Sequence, residues 1–97
     1  MSAPVSEAEL RQFLETHPGW SVERGQLTRT FEAPSFLSGI AFVEQVARLA
    51  EAADHHPDID IRWRKVTLRF VTHDAGNAIT ALDTRLAGEA STLFAAR

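Results

Sequence analysis

The 97-residue chain is predicted to fold as one α+β domain, in which a four-stranded antiparallel sheet carries its helices on one face. Three observations predict this class. Apolar residues recur at helical spacing in three separate segments. Between these segments lie two pairs of short alternating segments, each pair joined by a tight turn. The order is therefore α-β-β-α-β-β-α, and strands joined by short turns pair antiparallel.

The first third of the chain predicts a helix followed by a hairpin. Ser6-Glu7-Ala8-Glu9 is a capping box, because the Ser and Glu side chains can each satisfy a free backbone N–H group. His17-Pro18-Gly19 is expected to end this helix. Two strands around a turn at Gly25 are then predicted from a set of apolar and alternating residues: Trp20, Val22, Leu27, Arg29 and Phe31.

The longest helix is predicted to begin after Pro34-Ser35 and to end near Asp54. Apolar residues recur here at intervals of three and four: Phe36, Ile40, Val43, Ala47 and Ala50, with Phe42, Val46 and Leu49 alongside. This wide apolar stripe is expected to lie on the sheet.

The second hairpin and the last helix complete the fold. Ile59, Ile61 and Trp63 alternate with polar residues, as do Val66, Leu68 and Phe70. The strands are expected to turn near Arg64-Lys65. A last amphipathic helix is predicted from Ile79, Leu82, Leu86, Ala90 and Leu93.

Composition excludes several functional classes. Ten Lys and Arg against 13 Asp and Glu give a net charge of -3, which argues against a strongly basic nucleic-acid binder. Without cysteine the chain forms no disulfide, thiolate metal site or Cys nucleophile. No apolar run approaches the roughly 18 residues of a membrane span, and the N-terminus lacks signal-peptide features. We expect a cytoplasmic protein without nucleic-acid or membrane partners.

Three of the four histidines are predicted to meet at one rim of the sheet. If Arg64 and Lys65 form the turn, His56 lies opposite His73, and a turn one residue longer keeps them neighbours. Pro57 ends the long helix just before, since the residue preceding a proline avoids the helical region. His55 therefore joins the same rim.

Imidazole moves protons near neutral pH, so histidines around one cleft can serve as separate acid and base. The structural alternative is that His55 and His56 only cap the helix. Zinc is a rival, because three histidines and a carboxylate can ligate it. Adjacent histidines, however, point in different directions in extended chain, and no helical His-x3-His pair exists. Glu51 lies one helical turn before His55.

The spacing of these residues resembles the signature of the pterin-4a-carbinolamine dehydratases. It consists of Glu51-x3-His55-His56-Pro57, then Trp63, His73 and Asp83. Leu68–Asp74 and Gly19-Trp20 are also similar to family segments, and the resemblance extends from about Leu10 to Leu93. The segment Asp74–Thr80 is one residue longer than the commonest family form, and Trp63-Arg64 replaces the usual Tyr-Asn.

The resemblance implies removal of water from 4a-hydroxytetrahydropterin, which is left when an aromatic amino acid hydroxylase consumes its pterin cofactor. The product is quinonoid dihydropterin. The resemblance implies no metal or organic cofactor, a dimer or tetramer, and a possible hydroxylase partner in the same pathway. The alternative is a non-catalytic oligomeric module of the same fold that binds a protein partner.

The resemblance also suggests residue roles. His55 and His73 would be acid and base, and His56 would contact or orient the pterin while contributing to catalysis. Glu51 would hold a histidine tautomer and favour its charged form. Trp20 and Asp74 would bind substrate, although a core Trp and a solvated Asp are the structural alternatives. The Thr80-Ala81-Leu82-Asp83 capping box favours a cap for Asp83 over direct catalysis. Trp63 is expected in the core or an interface.

Overall fold

The computed structural model describes residues 3–96 and confirms the predicted order of helices and strands. The described helices are α1 (Glu7–Thr16), α2 (Phe36–Ala53) and α3 (Ala81–Ala95). The strands are β1 (Ser21–Glu23), β2 (Gln26–Glu32), β3 (Asp58–Arg62) and β4 (Lys65–Phe70). They form one antiparallel sheet in the order β1-β2-β4-β3. A short 3₁₀ helix, His73–Ala75, follows β4.

The core lies between one face of the sheet and the helices. Side chains of β2 and β4 on this face are fully or almost fully buried: Leu27, Phe31, Val66, Leu68 and Phe70. Helix α3 packs over β2 and α2 over β4, and the two helices contact each other. Helices on a single face, as predicted, leave a polar outer face on which the Thr30 and Thr67 hydroxyls are hydrogen-bonded at 2.7 Å.

Every described α-helix begins with a reciprocal capping box. The pairs are Ser6 with Glu9, Ser35 with Ser38, and Thr80 with Asp83. In each pair the two side chains accept the backbone N–H groups of one another, which satisfies donors that the first turn leaves free. The predicted capping boxes at Ser6 and Thr80 are thus confirmed.

Helix α2 has the predicted limits and buries part of the predicted apolar stripe. Its buried residues are Gly39, Phe42, Val46 and Ala50, whereas Phe36 and Ile40 of the predicted stripe are 46% and 37% exposed. Two overlapping apolar stripes run along this helix, and apolar spacing alone cannot choose between them. A Cβ on Gly39 would lie only 3.5 Å from Cβ of Ala33.

The second hairpin turns one residue earlier than predicted. Arg62 pairs with Lys65, so the turn residues are Trp63 and Arg64, and Trp63 has a φ of 54°. The predicted pairing of His56 with His73 is therefore wrong. Trp63 is 71% exposed, and the Arg64 guanidinium lies over its ring at 4.5 Å from the centroid. Trp63 is therefore not a core residue in this chain. By contrast, the predicted turn at Gly25 is confirmed.

Gly39 in α2 and Gly88 in α3 each lie close to a side chain outside their own helix, so their alanine variants form a matched test of stability. Gly39→Ala is expected to raise the free energy of unfolding by about 1 kcal/mol, because alanine favours helix and its Cβ meets only ordinary contact distances. Gly88→Ala is the control: its Cβ would lie 3.3 Å from Nε2 of His17, so the gain should be smaller. Urea unfolding of both variants measures this. Destabilisation by Gly39→Ala would contradict the packing described.

Candidate active site

A cavity of about 450 Å³ opens at one rim of the sheet, beside the C-terminus of α2 and the end of β4. Its volume is within the range of pockets that bind small molecules. The residues that line it come from both segments and from α3: Asp54, His55, His56, Val71, Thr72, His73, Asp74 and Leu82. The three histidines predicted to meet therefore do line one cavity.

The end of α2 places the first two histidines. Asp54 adopts a left-handed backbone with a φ of 50°, and its N–H binds the carbonyls of Ala50 and Glu51. The N–H of His55 also donates to the Ala50 carbonyl at 3.0 Å. These bonds satisfy carbonyls that the last helical turn would leave free. The chain then leaves the helix axis, and His55 and His56 reach the cavity before β3 begins.

His55 is held by a buried carboxylate. Its Nε2 lies 2.6 Å from Oδ1 of Asp83, and the Asp83 side chain is fully buried. A carboxylate accepts hydrogen bonds, so Nε2 carries the proton. The structure thus gives Asp83 two tasks, since its Oδ2 also accepts the Thr80 N–H at 2.9 Å to cap α3.

Two threonines satisfy the rest of the Asp83 carboxylate. The Thr72 hydroxyl donates to Oδ2 at 2.7 Å, and Thr72 and Thr80 oxygens lie 2.8 Å apart. Thr72 gives its single hydroxyl proton to Asp83, and the Thr80 hydroxyl lies within hydrogen-bond distance of both Thr72 and, at 3.4 Å, the same Asp83 oxygen. Burying a carboxylate is unfavourable unless its oxygens are hydrogen-bonded, and here they accept several donors. The result is a fixed acceptor for His55.

The second ring nitrogen of His55 remains available. Within residues 3–96, the only buried side-chain nitrogen or oxygen without a hydrogen-bond partner is Nε of Arg64. Nδ1 of His55 has no hydrogen-bond partner among residues 3–96, and the His55 ring lines the cavity. His55 therefore presents Nδ1 while Asp83 holds Nε2.

His56 and His73 have different partners. Nε2 of His56 lies 2.7 Å from Oε1 of Glu51, in an exposed pair, so Glu51 contacts His56 and not His55. Nδ1 of His73 lies 2.8 Å from Oδ1 of Asn77. Sequence reasoning missed Asn77. The signal was available as an asparagine next to Gly76, since both residue types tolerate left-handed backbone.

The structure places Trp20 outside the cavity. Trp20 is 5% exposed in the core, and its indole N–H donates to the Ser91 hydroxyl at 2.7 Å. Its ring meets Phe31 and Phe70 with centroids 5.9 and 6.0 Å apart. The position of Trp20 therefore favours the core residue that was the alternative to a substrate contact. Asp74 does line the cavity, as does His56.

Two further features were considered for the described part of the chain, a metal-ligand group and a membrane-spanning helix. No group of three or more His, Asp or Glu side chains among residues 3–96 is arranged to hold a metal ion. Over the same residues, no helix combines the length and the apolar character needed to cross a membrane. What the cavity does offer is three imidazoles at which protons can be given and taken.

Fold and site together define a small α+β protein with a histidine-lined cavity, and comparison with known proteins places it in a family. The family described as "Pterin 4 alpha carbinolamine dehydratase" matches residues 3–93. The chain belongs to this family, which confirms the resemblance noted in its sequence.

Individual relatives agree with this assignment. A protein of Roseiflexus castenholzii, named "Putative pterin-4-alpha-carbinolamine dehydratase", is 53% identical over 92% of this chain and 95% of its own length. A protein of the same name from Mycolicibacterium smegmatis is 48% identical over 90% and 92%. The crystal structure of a transcriptional coactivator/pterin dehydratase from Brucella melitensis superposes with a TM-score of 0.86. It is 29% identical and covers 94% of this chain and 98% of that one.

The threonine beside Asp83 gives a test of the buried network. Thr72→Val removes the hydroxyl with little change of shape and leaves a buried carboxylate oxygen short of a donor, so the free energy of unfolding should fall by about 1–3 kcal/mol. Thr72→Ser keeps the hydroxyl and should lose less. Chemical unfolding of both variants measures the difference. If Ser costs as much as Val, the hydrogen bond does not stabilise the site.

Proposed function

We propose that this protein removes water from 4a-hydroxytetrahydropterin by histidine acid–base catalysis and releases quinonoid dihydropterin. The observation that carries the proposal is the convergence of His55, His56 and His73 on one cavity of small-molecule size. Family membership and the names of the relatives support the same substrate class. The reaction would serve recycling of the pterin cofactor of an aromatic amino acid hydroxylase.

The reaction needs an acid and a base. Hydroxide is a poor leaving group, so the oxygen on C4a must be protonated as it departs, and N5 must lose its proton. One imidazolium and one neutral imidazole can supply both steps, each typically worth 10²–10⁴-fold in rate. His55 and His73 are the proposed pair. No step requires a group that these side chains do not provide.

The remaining cavity residues bind and orient. His56, fixed by Glu51, is a polar contact for the flat heterocycle. Asp74 offers a carboxylate at the same opening. Asp83 touches His55 and not the cavity, because it is fully buried, so its proposed role is to hold the Nε2 proton of His55 and orient the ring.

Histidine variants test the proposed chemistry. His55→Ala and His73→Ala should each lower kcat for dehydration of 4a-hydroxytetrahydropterin by at least about ten-fold, since each removes one proton-transfer group. The measurement is a direct dehydration assay on protein treated with a chelator.

The fourth histidine is the matched control. His17 stacks on Phe13 at 4.1 Å and does not line the cavity, so His17→Ala should keep the wild-type rate. Circular dichroism confirms that each variant is folded. Wild-type rates in both cavity variants would rule out the proposed mechanism. A wild-type protein that neither turns over nor binds the pterin, yet still associates with a protein partner, would favour the assembly module.

We also propose that the protein works as a homo-oligomer. Apolar side chains on α2 and on the edge strand β3 are exposed in the single chain: Phe36, Leu37, Ile40, Ile59 and Ile61. Both elements lie on the same side of the molecule, because α2 covers β4 and β3 is the next strand outward. Such a cluster marks an interaction surface, and a domain this small gains stability by burying it.

Charge introduced into this surface should dissociate the oligomer. Ile40→Asp is expected to shift the mass from a dimer or tetramer toward the 10.7 kDa chain, because a carboxylate cannot be buried there without a partner. Val22→Asp is the control, since Val22 is similarly exposed but lies on the opposite edge strand. Light scattering after gel filtration gives the masses. A wild-type mass of one chain would refute the proposal.

A further inference from the structure

The three cavity histidines differ in the charge of the group that holds them. His55 is bound by a buried carboxylate and His56 by an exposed one. His73 is bound by Asn77, whose side chain is a neutral amide. A carboxylate beside an imidazole stabilises its protonated form, whereas an amide fixes the ring without adding a full charge. His73 therefore has a neutral hydrogen-bond partner, whereas His55 and His56 each have a carboxylate as partner.

The contact with Asn77 also selects one tautomer of His73. The Asn77 atom at 2.8 Å from Nδ1 is the carbonyl oxygen, Oδ1. A carbonyl oxygen only accepts, so Nδ1 must carry the hydrogen. In the neutral ring Nε2 then holds a free electron pair. No other hydrogen bond engages the His73 ring in the described residues, and the ring lines the cavity.

The local backbone explains how Asn77 returns to His73. The chain makes one 3₁₀ turn at His73–Ala75, and then Gly76 and Asn77 take left-handed conformations with φ of 76° and 59°. The Thr72 N–H donates to the Ala78 carbonyl at 2.9 Å and closes the loop. Asparagine is among the few residues that tolerate this conformation. Position 77 thus suits an asparagine on both backbone and side-chain grounds.

We propose that Asn77 is a positioning residue that keeps His73 in the Nδ1–H tautomer and thereby makes Nε2 of His73 the catalytic base. This inference rests on the proposed dehydration and assigns its two proton transfers. Nε2 of His73 takes the proton of N5, and the electron pair left on N5 forms the C4a–N5 double bond. The C4a–O bond breaks with its electron pair on oxygen, which takes a proton from the His55 imidazolium and leaves as water. Solvent returns both rings to their starting states.

Two variants of Asn77 separate the effect of the His73 tautomer from the effect of a charge on the group that binds its ring. Asn77→Gly keeps the left-handed backbone and removes the amide. Asn77→Asp keeps an acceptor for Nδ1 but adds a negative charge. The titratable and charged groups that share the cavity with His73 are Asp54, Asp74, His55 and His56, and both variants leave them unchanged.

The first readout needs no substrate. Two-bond ¹H–¹⁵N spectra of the imidazole rings, recorded where His73 is neutral, should show the Nδ1–H form in the wild type and in Asn77→Asp. In Asn77→Gly they should show a mixture containing the Nε2–H form. Unfolding midpoints of the variants confirm that the loop is intact.

The second readout is the dehydration rate. Asn77→Gly should lower kcat by roughly ten-fold with little change in KM, because a misplaced ring proton disables a base, as in other histidine-dependent enzymes. Asn77→Asp should reach the wild-type kcat, but only at a higher pH than the wild type requires. The reason is that the added carboxylate holds the proton on His73.

An Nε2–H form of His73 in the wild type, or an Asn77→Gly protein with unchanged tautomer or unchanged kcat, would overturn the inference. Failure of the dehydration itself is a separate outcome: wild-type protein without turnover refutes the proposed function while the spectra still report the tautomer.

Discussion

The buried carboxylate of Asp83 connects the fold to the site. One oxygen caps α3 through the Thr80 N–H and accepts the Thr72 hydroxyl, and the other accepts Nε2 of His55. A charge at full burial is tolerated only when donors surround it, so the start of α3, the segment after β4 and the end of α2 must keep their relative places. Their meeting point is the cavity wall.

This arrangement gives chemically similar side chains unequal environments. His55 is backed by a carboxylate inside the protein, and His73 by an amide at an exposed loop. An acid must hold a proton until the transition state, and a base must be free of one. We propose that the different partners of the two rings suit them to these two roles.

Much of the fold was predictable, because its signals are local. Capping boxes at Ser6 and Thr80, the turn at Gly25 and the proline after the long helix all act within a few residues. Two details of the fold were not predictable in this way: the part of α2 that is buried and the position of the second turn. Which part of the apolar stripe α2 buries depends on how the helix packs on the sheet, where Gly39 lies next to Val66. The second turn places Trp63 in a left-handed conformation that its residue type does not favour.

The site was predictable in its histidines but not in all of their partners. Spacing brought His55, His56 and His73 to one rim even though the predicted strand register was wrong. The hydrogen-bond partners of these histidines depend on side-chain geometry, which cannot be deduced from sequence spacing. Asn77 was therefore missed. Trp20 lies in a segment that resembles the family, yet its ring is buried in the core and does not line the cavity.

We propose that these three rings surround one binding site for a flat heterocycle. The most direct test is NMR titration with a non-reactive dihydropterin, following the ring resonances of all four histidines. The account predicts saturable shifts at His55, His56 and His73 with none at His17, whose ring lies against Phe13 and Gly88. Saturable binding that leaves the three cavity rings unshifted, or no binding at all, would contradict it.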